Sequence, residues 1–386
     1  MSQKLDLTLT TTLTLLDQFQ TAITSASASL PPASTSTSNS TTTETTIPTK
    51  DALPLLSASA LTLKSQITKL SLVTITAPFT ATAATPILTA LNDSVLPSLV
   101  TAALLITPTD HTQAFQTEAH ALTRLALTEL GVLLGAVQGI ATSASSNQPE
   151  AKSEKQSTRK GGAELAQSRK EEVTLAAARA WEACDAVIDL AAKGVVGFVV
   201  RRVEQWRDLV RDAVGEIEEW DPEEEGDEFF DELLSDDEKQ GADDDDDDDN
   251  KEEGGDDDDE EETAALHAQK KITLKMLKPI AQVYPAIVTH RLKKTPDTVV
   301  EMAKLETLMK NLQMIPELVD EIAGALYEAD PQKSGRFLTQ AKERAVLALQ
   351  LVTLPWQGTG QDKFTTWANT WLKVMEELSK SIFVSA

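Results

Sequence analysis

Few side chains in this sequence are of types that do chemistry. His111, His120, His267 and His290 are widely separated, and Cys184 is the single cysteine. Metal ligation or acid–base catalysis needs such groups in register, as when HExxH sets two imidazoles on one helix face. His111 and His120 lie nine positions apart, about two and a half helical turns, so they face apart on one helix. All four histidines read as unrelated surface or edge residues. Cys184 sits in an apolar stripe beside Trp181 and Val187. A nucleophilic thiol needs a base and an electropositive setting, so Cys184 reads as a small buried hydrophobe. GxxxxGK[ST], GxGxxG after a strand, HExxH and GxSxG do not occur. The expectation is a non-enzyme without cofactor or metal.

Charge is the second resource. The 386 residues hold 61 Asp+Glu and 35 Lys+Arg, a formal net charge of -26. Residues 216–262 alone hold 30 acidic and 2 basic side chains, so the other 339 residues, with 31 acidic and 33 basic, are close to neutral. A broadly basic nucleic-acid binder is excluded, and no direct DNA binding is expected. The seven aspartates 243–249 lack the spacing and central Gly of an EF-hand, which leaves unordered cation condensation.

Within the strip, Phe229, Phe230, Leu233 and Leu234 stand on an acidic background and are suited to a basic, apolar groove. The EFFD string at 228–231 also resembles the two-phenylalanine tract bound by sperm-protein-like domains of the endoplasmic reticulum, although Glu232 and Leu234 depart from it. An activation-type acidic segment and a solvated tether are the other readings. Ser235 precedes Asp236, Asp237 and Glu238, the context acid-directed kinases favour. Lys270, Lys271, Lys275 and Lys278, with Arg291, Lys293 and Lys294, form a basic cluster that the strip is expected to mask within the chain.

The elements that position these groups read as helices. Leu5, Leu9, Leu13, Leu16, Phe19 and Ile23 step by three and four, as do Leu53, Leu56, Ala60, Leu63, Ile67 and Leu70. A third helix over 79–106 is interrupted at Pro86 and Pro97 and ended by Pro108, and a fourth covers 110–142. Gly131, Gly135 and Gly139 in that fourth helix read as a site of close helix packing. Val173, Ala177, Ala180, Cys184, Val187 and Ala191 form a further stripe. A heptad seam follows at Val196, Val199, Val203, Trp206, Val210, Ala213 and Ile217, and an intramolecular seam is preferred to a dimerising coiled coil. Leu277, Ile280, Tyr284 and Ile287 come next, then a helix broken at Pro316, then one over 332–352. The last helix carries Phe364, Trp367, Trp371, Val374, Leu378 and Ile382, with the Trp367–Trp371 pair read as core. Strand alternation is missing, so the class is all-α, with tandem antiparallel bundles.

The expected domains are a four-helix bundle over 1–142 and a second bundle over 163–386, joined by a flexible linker at 143–162. The stretches 31–50, 143–162 and 221–263 are expected to be disordered, because low apolar content cannot offset chain entropy. A single cysteine fits a reducing compartment. The opening MSQKLD has no basic-then-apolar pattern, and no unbroken apolar run reaches about 18 residues. The chain is therefore expected to be intracellular and soluble, without a membrane span.

Three stretches carry a family resemblance: 61–80 (LTLKSQITKLSLVTITAPFT), 180–188 (AWEACDAVI) and 314–330 (MIPELVDEIAGALYEAD). They resemble the cyclin-D-binding protein family, also called cyclin-D-interacting or human homologue of maid. An acidic tract between two helical blocks matches as well. The resemblance implies a fold similar to vinculin and α-catenin bundles. It also implies a non-enzymatic regulator of cell-cycle progression and transcription, in nucleus and cytoplasm, with a cyclin-like or transcription-regulator partner. The Ser/Thr-rich N-terminal segment and the long Asp run look more like a fungal-type member. Two further readings stay open: an acidic nuclear chaperone for histones or other basic proteins, and a vinculin-like cytoskeletal adaptor.

Overall fold

A computed structural model describes residues 3–28, 52–76, 79–146, 159–222, 256–294, 301–356 and 360–384. Every regular element among them is helical, so the all-α class holds. The expected disordered loop 31–50, residues 147–158 of the linker and residues 223–255 of the acidic strip lie outside the described residues. The contacts divide the chain into two compact units, Met1–Phe198 and Val199–Ala386.

The first unit contains α1 (Gln3–Ala28), α2 (Ala52–Ile75), α3 (Ala81–Ala90), α4 (Leu96–Leu104), the single turn α5 (Pro108–His111), α6 (Gln113–Ser146) and the first part of α7 (Arg159–Glu219). α1 packs on α6 and α3, and α2 on α4. Leu5, Leu9, Leu16 and Ile23 of α1 are buried as their spacing predicts, as are Leu56, Ala60, Leu63, Ile67 and Leu70 of α2. Pro86 does not end α3; the helix passes through it and widens into a π-turn at Leu91–Val95 before α4. Pro97 sits in the first turn of α4, directly after that π-turn. Thr112 breaks the expected fourth helix into α5 and α6. Its φ is 71°, unusual for a β-branched residue, and its hydroxyl caps α6 by accepting from the Phe115 N–H at 3.2 Å.

Two helical stretches, Ala81–Leu104 and Gln113–Thr142, are long and apolar enough to cross a membrane by length and composition, and 44% of the most apolar window of each is buried within the protein. Counting unbroken apolar runs misses them, because Asn92, Asp93 and Ser94 interrupt the first stretch and Glu118, Arg124 and Glu129 the second.

The division between units falls inside α7 and not in the 143–162 linker. α6 and α7 also extend into that stretch, to Ser146 and from Arg159. Side chains of α7 bind helices of the first unit: Arg169 donates to the Gly139 carbonyl, Asp185 pairs with Lys64 at 2.6 Å, and Phe198, one turn past the kink, meets Phe115 edge-on at 5.5 Å. The kink is at Gly194, whose φ of 64° and ψ of -172° suit glycine alone.

The second unit holds the rest of α7, α8 (Asp256–Ile287), α9 (Met302–Tyr327), α10 (Pro331–Val352) and α11 (Lys363–Val384). α8 opens inside the acidic strip, correcting the expectation of disorder to 263. α9 and α10 form a hairpin. Ala329 takes a left-handed φ of 53°, its N–H donates to Leu326, and the Asp330 N–H donates back to Ala325 at 2.8 Å, a glycine-type helix stop made by alanine. Asp330 then caps α10 by accepting from the Lys333 N–H.

Two expectations about helix faces change. Pro316 is buried inside an unbroken α9. On α11 the core face runs through Phe364, Ala368, Trp371, Met375 and Ser379, while Val374 is exposed and Trp367 only half-buried. The buried positions step four, three, four and four from Phe364, so the core face is centred to one side of the 364–367–371–374 stripe.

Candidate functional site

His111 and His120 are core residues, not surface ones, at 7% and 2% exposed. His111 stacks on Phe115 at 5.8 Å, and His120 Nε2 lies 3.0 Å from the Ala103 carbonyl. Burial lowers the pKa of both. Beside His111, Asp110 and a backbone bond to Thr107 act in the opposite sense, as the Ala103 bond does for His120. The two rings lie on different helices because Thr112 separates α5 from α6. Cys184 is free and buried, and burial pushes its thiol up to about 12. Neighbouring Asp185 adds to that shift and Lys64 opposes it. Among the described residues no group of three or more His, Cys, Asp or Glu is placed to hold a metal ion.

The glycine stripe on α6 is not a close approach. A Cβ on Gly131 would meet Leu16 at an ordinary 3.8 Å, one on Gly139 would meet Arg169 at 3.7 Å, and Gly135 has open space. Small size is not required at these positions.

The basic cluster on α8 is partly engaged by α7. Lys270 donates to the Trp220 carbonyl, Lys278 pairs with Glu218 at 2.7 Å, and Lys293 pairs with Glu204 at 2.8 Å. Numbers fall along α7 as they rise along α8, so the two run antiparallel. Lys271, Lys275 and Lys294 are exposed.

Arg291 does not belong to that surface. Only 2% of its side chain is exposed, in the π-turn Val288–Leu292 that ends α8. Its Nε–H donates to the Val352 carbonyl at 2.7 Å, and Nη2 donates to Thr353 at 2.7 Å and to Asp362 Oδ1 at 3.0 Å. Nη1 donates to Asp362 Oδ2 at 2.8 Å and to the His290 carbonyl at 3.2 Å. These bonds use all five guanidinium donors. The guanidinium also lies 4.2 Å from the Phe364 ring centroid. Asp362 in turn accepts from the Thr365 N–H and hydroxyl, capping α11. The Arg291 bond is the first cause that holds its carboxyl well below the usual range. This is a structural clamp joining the ends of α8, α10 and α11.

Next to the clamp lies a groove of about 380 Å³ between the end of α8 and the start of α11. Gln282, Pro285, Ala286 and His290 line one side, and Lys363, Phe364 and Trp367 the other. Phe364 meets His290 at 5.8 Å and Trp367 at 5.5 Å, so the floor is aromatic. Trp371, one turn on, is committed to packing, with its indole N–H donated to the Pro279 carbonyl at 3.0 Å. The Trp367–Trp371 pair therefore splits into a groove wall and a core residue. Trp367 stands out in the sequence, but its partners Pro285, His290 and Lys363 do not. A proline on the exposed side of α8 was the available signal.

The sequence candidates Phe229, Phe230, Leu233, Leu234 and Ser235 lie outside the described residues. Comparison of the chain with models of known protein families gives no match, and comparison with curated proteins gives none either.

Proposed function

We propose that this chain is a non-catalytic interaction protein that offers a helix face or groove to a protein partner. In kind it is similar to the cyclin-D-binding regulators of cell cycle and transcription, acting in cytoplasm and nucleus. The observation that carries the reading is that Cys184, His120 and Arg291 are consumed by packing. Cys184 is buried with its thiol at about 12, His120 is bonded to Ala103, and Arg291 spends every donor on carbonyls and Asp362. Among the described residues, the aromatic groove at Phe364 and Trp367 is accessible and shaped. Such a site suits recognition, where one or two anchored aromatic contacts supply most of the affinity.

A second reading is an acidic chaperone for basic proteins. It is favoured by the charge of the strip, 30 acidic side chains against 2 basic over 216–262, of which Glu218 is paired with Lys278. Pull-downs with the full chain and with a chain lacking 236–262, at low and high salt, separate the two. An interaction-face protein keeps its partner after the deletion. A chaperone binds histones with steep salt dependence and loses them on deletion.

A further inference from the structure

We infer that the groove at Phe364 and Trp367 is a docking site for an acidic segment with paired aromatic and leucine anchors, and that residues 228–234 (EFFDELL) of the same chain are its occupant. This rests on the interaction-protein reading and names the chemistry of its ligand.

Three observations agree. The first is anchor chemistry. Phe229 with Leu233, and Phe230 with Leu234, are i, i+4 pairs, a spacing that sets all four on one side whenever the segment is helical. A floor of Phe364 and Trp367 walled by Pro285 and Ala286 accepts apolar or aromatic side chains of that size.

The second is charge. Asp227, Glu228, Asp231 and Glu232 flank the anchors. Lys363 and His290 stand at the groove, and exposed Lys294 follows on the same helix end. Asp362, next to Lys363 in sequence, is already paired with Arg291.

The third is reach. The chain leaves α7 at Trp220, bonded to Lys270, and Ala286 is sixteen residues further along α8, about 24 Å. The six residues from Pro222 to Glu228 span up to about 21 Å when extended, and the stretch from Glu228 to Leu234 adds about 9 Å as a helix. From Leu234 the chain has 22 residues, up to about 75 Å, to return to Asp256. That exceeds the length of α8, about 48 Å.

The test titrates a labelled peptide of residues 223–238 into the natural full chain and into full-length F229A/F230A/L233A/L234A. A tethered segment has an effective concentration on the order of 1 mM, so with a peptide Kd of about 100 µM it weakens binding in trans about tenfold. The four-alanine chain is expected to bind the peptide about tenfold more tightly than the natural chain. In that chain K363E is expected to weaken binding at least threefold, more at low salt than at high salt, and W367A at least tenfold. K363E alters an exposed side chain, so it reports on the groove even if W367A disturbs folding. Equal affinity for both chains overturns the inference, because the groove is then open to a partner and unfilled by the chain itself. No binding to either chain, or affinity unchanged by K363E, also overturns it, as does a natural chain that runs as a dimer and becomes monomeric in the four-alanine form. None of these outcomes alters the pull-down result, so the broader interaction reading stands or falls separately.

Discussion

The Tyr284 hydroxyl donates to the Leu312 carbonyl at 2.8 Å, and Leu312 is the residue four before Pro316. Proline has no N–H, so the α-helical acceptor at that position lacks its usual donor. Tyr284 on α8 supplies it from outside α9. The helix therefore runs unbroken from Met302 to Tyr327, and the tyrosine is fully buried with its pKa raised by burial.

Removing that donor has a defined cost. Tyr284→Phe is expected to destabilise the second unit by about 1–3 kcal/mol, since it leaves a buried carbonyl unpaired. Pro316→Ala restores a helical N–H to Leu312, so in that background the same substitution costs at least about 1 kcal/mol less. Urea unfolding of the two single variants and the double variant measures the coupling.

The Arg291–Asp362 clamp makes the second unit acid-sensitive. The carboxyl of Asp362 is depressed when folded, so its contribution is complete above the ordinary value of 3.8 and is lost as pH falls toward the lowered folded value. Asp362→Asn is expected to lower stability at pH 7 and to flatten its dependence on pH below about 4. Arg291→Lys cannot span Val352, Thr353 and both oxygens of Asp362, and is expected to cost about 3 kcal/mol. Thermal unfolding at pH 3–7 checks both.

His111 and His120 give the first unit a different pH window. Their pKa values are lowered from 6.5 when folded, so stability is complete above about pH 6.5 and declines as pH drops toward the lowered values. His111→Phe keeps the stack on Phe115, and His120→Gln keeps a donor for Ala103. The double variant is expected to lose the decline between pH 6.5 and 5, as read by hydrogen exchange of α6 amides.

Positive φ at Ala329 and Gly194 predicts substitutions of opposite sign. Ala329→Gly relieves a left-handed alanine at the end of α9 and is expected to stabilise by about 0.5–1 kcal/mol. Gly194→Ala forces a side chain into a region open to glycine alone and is expected to cost about 1–3 kcal/mol. Denaturant midpoints of the two variants give the signs directly.

Much of the fold was legible because helix burial repeats. The stripes Leu5–Leu9–Leu16–Ile23 and Val173–Ala177–Ala180–Cys184 are buried as their spacing requires, since a helix presents every third or fourth residue to one neighbour. Periodicity says which residues share a face, but not how wide the covered face is. That is why Val374 was placed in the core and His111 and His120 outside it. Pro316 misled for a related reason. A helix break is a local forecast, and Tyr284, 32 residues away in sequence, cancels its main cost.

The sequence by itself determined the all-α class, the segregation of charge into 216–262 and the identity of the apolar stripes. Each of these follows from composition or from contacts within a few residues. Tertiary structure alone decided that the units divide after Phe198, that Arg291 is a buried clamp and that Lys363, Phe364 and Trp367 meet Pro285 and His290 in a groove. Those facts depend on side chains as far as 82 residues apart converging at helix ends. Packing of whole helices sets that convergence, and no local spacing encodes it.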